Sequence, residues 1–243
     1  MAILNRYDYI LSALPALEPI GSIPPISKID FLNMITSSKG PVRTVGVILL
    51  SDDLMQYESF LSKEIDKDKI DLAVLSLENS EGEPVLPDFL LPEEEMREKT
   101  NERLAADDIW SRYFRYAALI AKHNSSFLKA WAGFEVGLRN ALTTARAQML
   151  GLEPDAYLVC PELADAETDY NNIISAWHAA SNPMAALEVL DKARWDWLEE
   201  HAGLYSFSAD EIEMYAAKLI LLHHWRRILS GRQENNNIKE TVY

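Results

Sequence analysis

The segment FLKAWAGFEVGLRNALTTARAQMLG, Phe127 to Gly151, reads as one long helix with three different faces. On a 3.6-residue period, Phe127, Trp131, Phe134, Leu138, Leu142, Ala145 and Met149 fall in one apolar stripe. A second face carries only Ala130, Gly133, Gly137, Ala141 and Thr144. Glycine costs about 1 kcal/mol per position inside a helix, so two of them one turn apart predict another backbone passing close by. A third stripe is charged: Glu135, Arg139 and Arg146, with Glu135 and Arg139 in the favourable i,i+4 order. Gly151 supplies the stop, because glycine takes the left-handed C-cap conformation cheaply. Such a helix is touched from several sides, which predicts a multi-helix, all-α body built around it.

Downstream, LEPDAYLVCPELADAETD is a connecting stretch, followed by a short helix from Tyr170 to Ala180. Asn182 caps the next helix, with Pro183 at its first position, where a missing N–H costs nothing. That helix runs to about Ala202 and stops at Gly203. Its core stripe is Leu187, Leu190, Trp197 and Leu198, with Arg194 in the middle. An arginine there must snorkel to solvent or find a carboxylate, and Glu135 is the first candidate. The last helix starts after Ser208 and reaches about Leu229 with two apolar sides, so it either lies between two layers or shows one side to a partner. GRQENNNIKETVY reads as a polar, disordered tail.

Upstream, Asn124, Ser125 and Ser126 break and re-cap the chain after a helical pattern from Glu93 to about Lys122, with a bend near Asp107. ENSEGEPVLPDFLLPEEE is an acidic loop and a candidate subdomain boundary. Ser27 and Asp30 form a capping box ahead of a short helix ending near Ser38, and KGPVR is a turn. VGVILL, Val45 to Leu50, fits a strand or a buried helix start equally well, with a helix from Asp52 to about Ile65 capped by Ser51. The expected division is an N-terminal helical and irregular subdomain over 1–92, a main bundle over 93–230 and a tail over 231–243. At most one or two short strands belong near the N-terminus.

Composition narrows the function classes. The net charge of −15 argues against nucleic acid and anionic lipid surfaces. It is concentrated in residues 51–110, which carry eighteen acidic and six basic groups. That segment is either a solubilising surface or a grip for a basic partner. No run approaches the roughly 18 apolar residues of a spanning helix, and MAILNRYDYIL lacks a leader pattern, so a cytoplasmic chain without direct membrane insertion is expected. Cys160 is the single cysteine, so no intrachain disulfide or thiolate cluster can form, and a structural, half-buried thiol is expected. No histidine stands three residues after a glutamate, and His223 and His224 diverge by about 100° on a helix, so no metal site is expected. His223 falls on the apolar stripe as a hydrogen-bonded core histidine. Phosphate loops, dinucleotide fingerprints and a nucleophile elbow are missing, so no catalytic residue and no cofactor is assigned.

One constellation stands out: Glu135, Arg139, Asn140 and Arg194 lie within apolar helices and form a candidate polar network. It is either a structural clamp between helices or an anion or substrate pocket.

FEVGLRNALTTARAQMLG, the later ALEVLDKARWDWLEE and EMYAAKLILLHHWRRI, with the opening YDYILSALPAL and PPIS, resemble domain of unknown function 2764. Those bacterial proteins are encoded beside V/A-type ATPase genes and look like short relatives of the C-type (also called d-type) subunit of these ATPases. The resemblance implies a non-catalytic, membrane-peripheral component whose partners are the central-stalk subunits and the membrane rotor ring. Its expected place is the cytoplasmic side of the inner membrane, coupling stalk to rotor in ion transport. Two competitors remain: a stand-alone helical enzyme or binding protein with a Glu/Arg pocket, and an acidic protein–protein adaptor.

Overall fold

The computed structural model describes residues 7–77, 84–91, 106–201 and 207–241. Among the described residues the helices, in chain order, are α1 (Asp8–Ala13), α2 (Lys28–Ser37), α3 (Val42–Leu61), α4 (Ala106–Asn124), α5 (Ser126–Leu150), α6 (Asn171–His178), α7 (Pro183–Glu200) and α8 (Ala209–Thr241). A two-stranded antiparallel ribbon, β1 (Ser76–Leu77) with β2 (Pro84–Val85), pairs Ser76 with Val85 and Leu77 with Pro84. The protein is therefore essentially all-α.

The helix boundaries follow the capping chemistry of the sequence. Asp30 N–H donates to Ser27 Oγ at 3.1 Å, and Ser27 Oγ donates to the Asp30 carboxylate at 2.6 Å. Leu128 N–H donates to Ser125 Oγ at 2.8 Å and Ala185 N–H to Asn182 Oδ1 at 2.9 Å. Gly151 closes α5 at φ 69°, while Leu152 N–H reaches back to Ala147 O at 2.9 Å, the pattern of a Schellman stop.

Helix α3 resolves the ambiguity of VGVILL in favour of helix and moves the start upstream to Val42. Ser51 is not its N-cap; the hydroxyl lies mid-helix and donates to Ile48 O at 2.7 Å. The reason is burial on all sides. Val45, Ile48, Leu49, Leu50 and Leu54 are almost fully enclosed, and a helical segment that is apolar all round suits an interior position. Its β-branched residues carry only a small propensity penalty, which tertiary packing overrides.

Helix α8 meets α3, α5 and α7. Ile212, Ala216, Leu219 and Leu222 are completely enclosed, with Met214, Leu221 and Trp225 nearly so, which places this helix between layers. It continues past Leu229 to Thr241, so the segment expected to be a disordered tail is helical through that residue. The physical reason is that it contains no proline, and adding residues to an existing helix costs far less than nucleating one. The expected helix over Glu93–Lys122 is seen from Ala106; residues 92–105, like part of the acidic loop, lie outside the described ones. One contiguous core runs from Ile10 through α3 and α5 to Leu221, so the first and last helices share it.

The small face of α5 meets another backbone, as predicted, at Gly133, but a side chain at Gly137. Asp165 N–H donates to Gly133 O at 3.0 Å, and a Cβ on Gly133 would stand 3.3 Å from Leu163 O. At Gly137 the neighbour is a ring: a Cβ there would overlap Tyr170, whose hydroxyl donates to Phe134 O at 3.3 Å. The apolar stripe packs Trp131 and Phe134 against Trp197 of α7, with ring centroids 5.4 and 5.1 Å apart. Burying Phe134 contributes about 2–3 kcal/mol. Met149, at the far end of that stripe, is exposed.

Candidate functional site

Glu135 sits on α5 and Arg194 on α7, and Trp197 of α7 reaches across to pack against Trp131 of α5. Arg194 meets the carboxylate fork to fork: Nε donates to Glu135 Oε1 at 2.8 Å and Nη2 to Oε2 at 3.2 Å. Its remaining arm, Nη1, donates to Asp191 Oδ1 at 2.9 Å, one turn back on α7. Burial works against the guanidinium charge, but Glu135 and then Asp191 outweigh it, so Arg194 is held charged well above its ordinary range. Asp191 was not among the residues singled out in the sequence. The signal was present, because Asp191 precedes Arg194 by three positions on the same face.

The other two members of the expected network go elsewhere. Arg139 Nη2 approaches Asp107 Oδ1 at 3.5 Å, and its guanidinium lies 4.7 Å over the Trp110 ring. Burial lowers the Arg139 pKa, opposed by Glu58 and Asp107. Trp110 Nε1 donates to Glu58 at 2.6 Å. Asn140 clasps one backbone position: its Nδ2 donates to Val159 O, and Val159 N–H donates to its Oδ1, both at 2.9 Å. Asn140 is thus a peptide-like brace that holds the connecting stretch on α5. Cys160 follows it at φ 42°, buried, with its thiol donating to Ser111 O at 3.4 Å; burial pushes the thiol pKa up, against catalytic use.

Beside the Glu135–Arg194–Asp191 group lies a cavity of about 230 Å³, bounded by α3, α4, α5, α7 and α8. Trp110, Tyr113, Phe114 and Trp131 form an aromatic wall, with Leu190 and Leu221 also in the lining. Glu135, Asp191, Arg194 and His224 give it one polar end. Glu135 and Arg194 keep about one-fifth of their side chains exposed, 20% and 23%, so this end reaches solvent. Asp191 Oδ2 is buried and has no hydrogen-bond partner. His224 Nε2 stands 3.6 Å from it, beyond hydrogen-bond range. Burial lowers the His224 pKa, opposed by Asp191, which favours the neutral ring.

A second charged cluster had no forecast in the sequence. Lys28 at the start of α2 is completely buried, as are Asp52 and Asp53 in the middle of α3. Lys28 Nζ donates to Asp52 Oδ2 at 2.5 Å, to Asp53 Oδ1 at 3.2 Å and to the Asp71 carbonyl. Arg227 of α8 grips Asp52 through both terminal nitrogens, Nη1 at 3.1 Å. Asp53 accepts the N–H groups of Ala73, Val74 and Leu75, pinning that turn. Gln56 bridges Asp52 and the Asp71 backbone, and His223 bonds Ile26 O at 2.9 Å. Burial raises the Asp52 pKa, but Lys28 and Arg227 together bring it down to about 2. Burial dominates at Asp53 and raises it, despite Lys28 and three N–H donors. Once α3 begins at Val42, Asp52 and Asp53 lie deep in a helix beside buried Leu49 and Leu54 and require cations.

Glu213 of α8 is a further buried carboxylate. Thr44 of α3 donates to it at 2.5 Å and Ser125, the cap of α5, donates to its other oxygen. Burial pushes its pKa up to about 7, opposed by those two hydroxyls. Three helices are therefore tied at one carboxylate.

Among the described residues no group of three or more His, Cys, Asp or Glu is arranged to hold a metal ion, and no helix is long and apolar enough to cross a membrane. Neither a curated protein nor a solved structure matches the chain. Residues 53–242, most of the sequence, taking in the second half of α3 and all of α4 to α8, match the model of the family described as protein of unknown function (DUF2764), and the chain belongs to that family.

Proposed function

We propose that this chain is a non-catalytic component of a V/A-type rotary ATPase, similar to its C-type (d-type) subunit and coupling the central stalk to the membrane rotor during ion transport. The observation that supports it most is cross-bracing by buried charge. Lys28, Asp52 and Arg227 tie α2, α3 and α8. Glu135 and Arg194 tie α5 to α7, and Glu213 ties α8 to Thr44 and Ser125. A part that transmits torque must resist sliding between helices, and interior ion pairs resist it because each displaced charge would be left uncompensated. The family resemblance points the same way. On this reading the chain works at the cytoplasmic face, peripheral to the membrane, and nucleotide is hydrolysed by other subunits.

The test is recovery of the complex. The full chain, tagged and expressed in its own cells, is purified under mild conditions and its companions are identified. Nucleotide-hydrolysing and stalk subunits of the rotary ATPase should accompany it in fixed ratio. Recovery of the chain alone, with those subunits present in the same lysate, would overturn the proposal.

A further inference from the structure

The cavity beside Arg194 brings together space, aromatic walls and an unpaired acceptor. Its volume of about 230 Å³ exceeds what one ring needs; an apolar protein cavity of about 150 Å³ holds benzene. It therefore admits a ring-sized body with a short arm. The rings of Trp110, Tyr113, Phe114 and Trp131 line it, and aromatic surface suits an apolar body and attracts a cation. At the polar end, Glu135 and Asp191 bring two negative charges and Arg194 one positive charge. Arg194 uses Nε, Nη1 and Nη2 on Glu135 and Asp191 Oδ1, leaving Asp191 Oδ2 with no donor. A buried carboxylate oxygen in that condition is costly, and a donor that reaches it gains more than it would at a solvated acid. A bound anion would meet the surplus negative charge, with each guanidinium nitrogen already engaged.

We infer that this cavity is a binding site for a small organic ammonium: an apolar, ring-sized body against the aromatic wall, with its cationic head donating to Asp191 Oδ2. Ala132 lines the same space and is buried, so enlarging it fills the cavity without removing a charge. The site is independent of membership in a rotary complex, and the free chain suffices to test it.

The purified full chain is titrated with 2-phenylethylamine, followed by tryptophan fluorescence and calorimetry. 3-Phenylpropionate, with a similar body and opposite charge, is the control. The amine should bind at one site with a Kd below about 1 mM, and the acid at least tenfold more weakly. Ala132→Leu should abolish amine binding, and Asp191→Asn should weaken it about tenfold, each with the helical circular dichroism retained. The inference is overturned if the wild-type chain shows no saturable amine binding, or if the acid binds as well as the amine. It is equally overturned if either folded variant binds like wild type. The amine-against-acid contrast needs no variant, so a substitution that fails to fold leaves the test intact.

Discussion

Two charged clusters in this molecule use the same vocabulary and end in opposite conditions. Around Lys28, the lysine and both carboxylates are fully enclosed, only Arg227 keeps part of its side chain exposed, and each carboxylate has several partners: Asp52 has Lys28, Gln56 and Arg227, and Asp53 has Lys28 and three backbone N–H groups. Around Arg194, the pairing is also close, but the cluster borders a cavity, reaches solvent and leaves Asp191 Oδ2 unpaired. The first is a clamp, complete without any addition. The second is a clamp with an unused acceptor beside open space. A buried ion pair alone therefore says little about binding; what separates a brace from a site is whether its hydrogen-bond capacity is used up.

The largest expected effect tests the first half of that contrast. Lys28→Met leaves Asp53 without a cation and Asp52 with Arg227 alone, all in the interior. It should destabilise the fold by about 3–5 kcal/mol in urea unfolding. A loss under about 1 kcal/mol would mean the cluster is no clamp. Arg194→Met strands Asp191, which is buried, and Glu135, which is partly solvated. Water screens part of that loss, so about 2 kcal/mol is expected. A cost equal to that at Lys28 would erase the distinction between the two clusters.

Glu213→Gln sharpens the comparison through pH. The folded-state pKa of about 7 lies above the ordinary value of 4.5, so the native protein binds the extra proton. Wild-type stability from this group is greatest at low pH and declines as pH rises from 4.5 to about 7. The variant lacks that decline, so its stability relative to wild type should rise across this window by about 3 kcal/mol by about pH 8. A difference from wild type that is the same at about pH 4 and about pH 8 would contradict it. Asp52 has the opposite sign: its depressed pKa contributes stability at neutral pH that is lost as pH falls towards about 2. Smallest is Lys192→Ala. Its 2.5 Å pair with Asp196 is the same length as Lys28–Asp52, but the two side chains are 68% and 50% exposed. It should change stability by under about 0.5 kcal/mol, showing that burial rather than distance sets the strength.

What the sequence disclosed follows from how local the information is. The α5 helix, its Ser125 cap and its Gly151 stop are written within one segment. The partner of Arg194 was legible because an arginine inside an apolar stripe has few ways to be satisfied. VGVILL was not, since a short apolar run carries no period that separates strand from helix. Asp52 and Asp53 read as first-turn acids as long as α3 is started after Ser51. The cations of Asp52 lie 24 and 175 residues away, beyond any spacing rule. Asn140 lies about 140° round the helix from Glu135 and so meets the connecting stretch instead, while Arg139, one turn on along the same stripe, is held by Asp107 and the Trp110 ring.

The proposal that the chain couples stalk to rotor is tested most directly by a density map of the intact rotary ATPase from its own cells. The expected result is a helical body of this shape between the central stalk and the membrane ring. A complete map in which another polypeptide fills that position, with this chain present in the cells but absent from the complex, would contradict it.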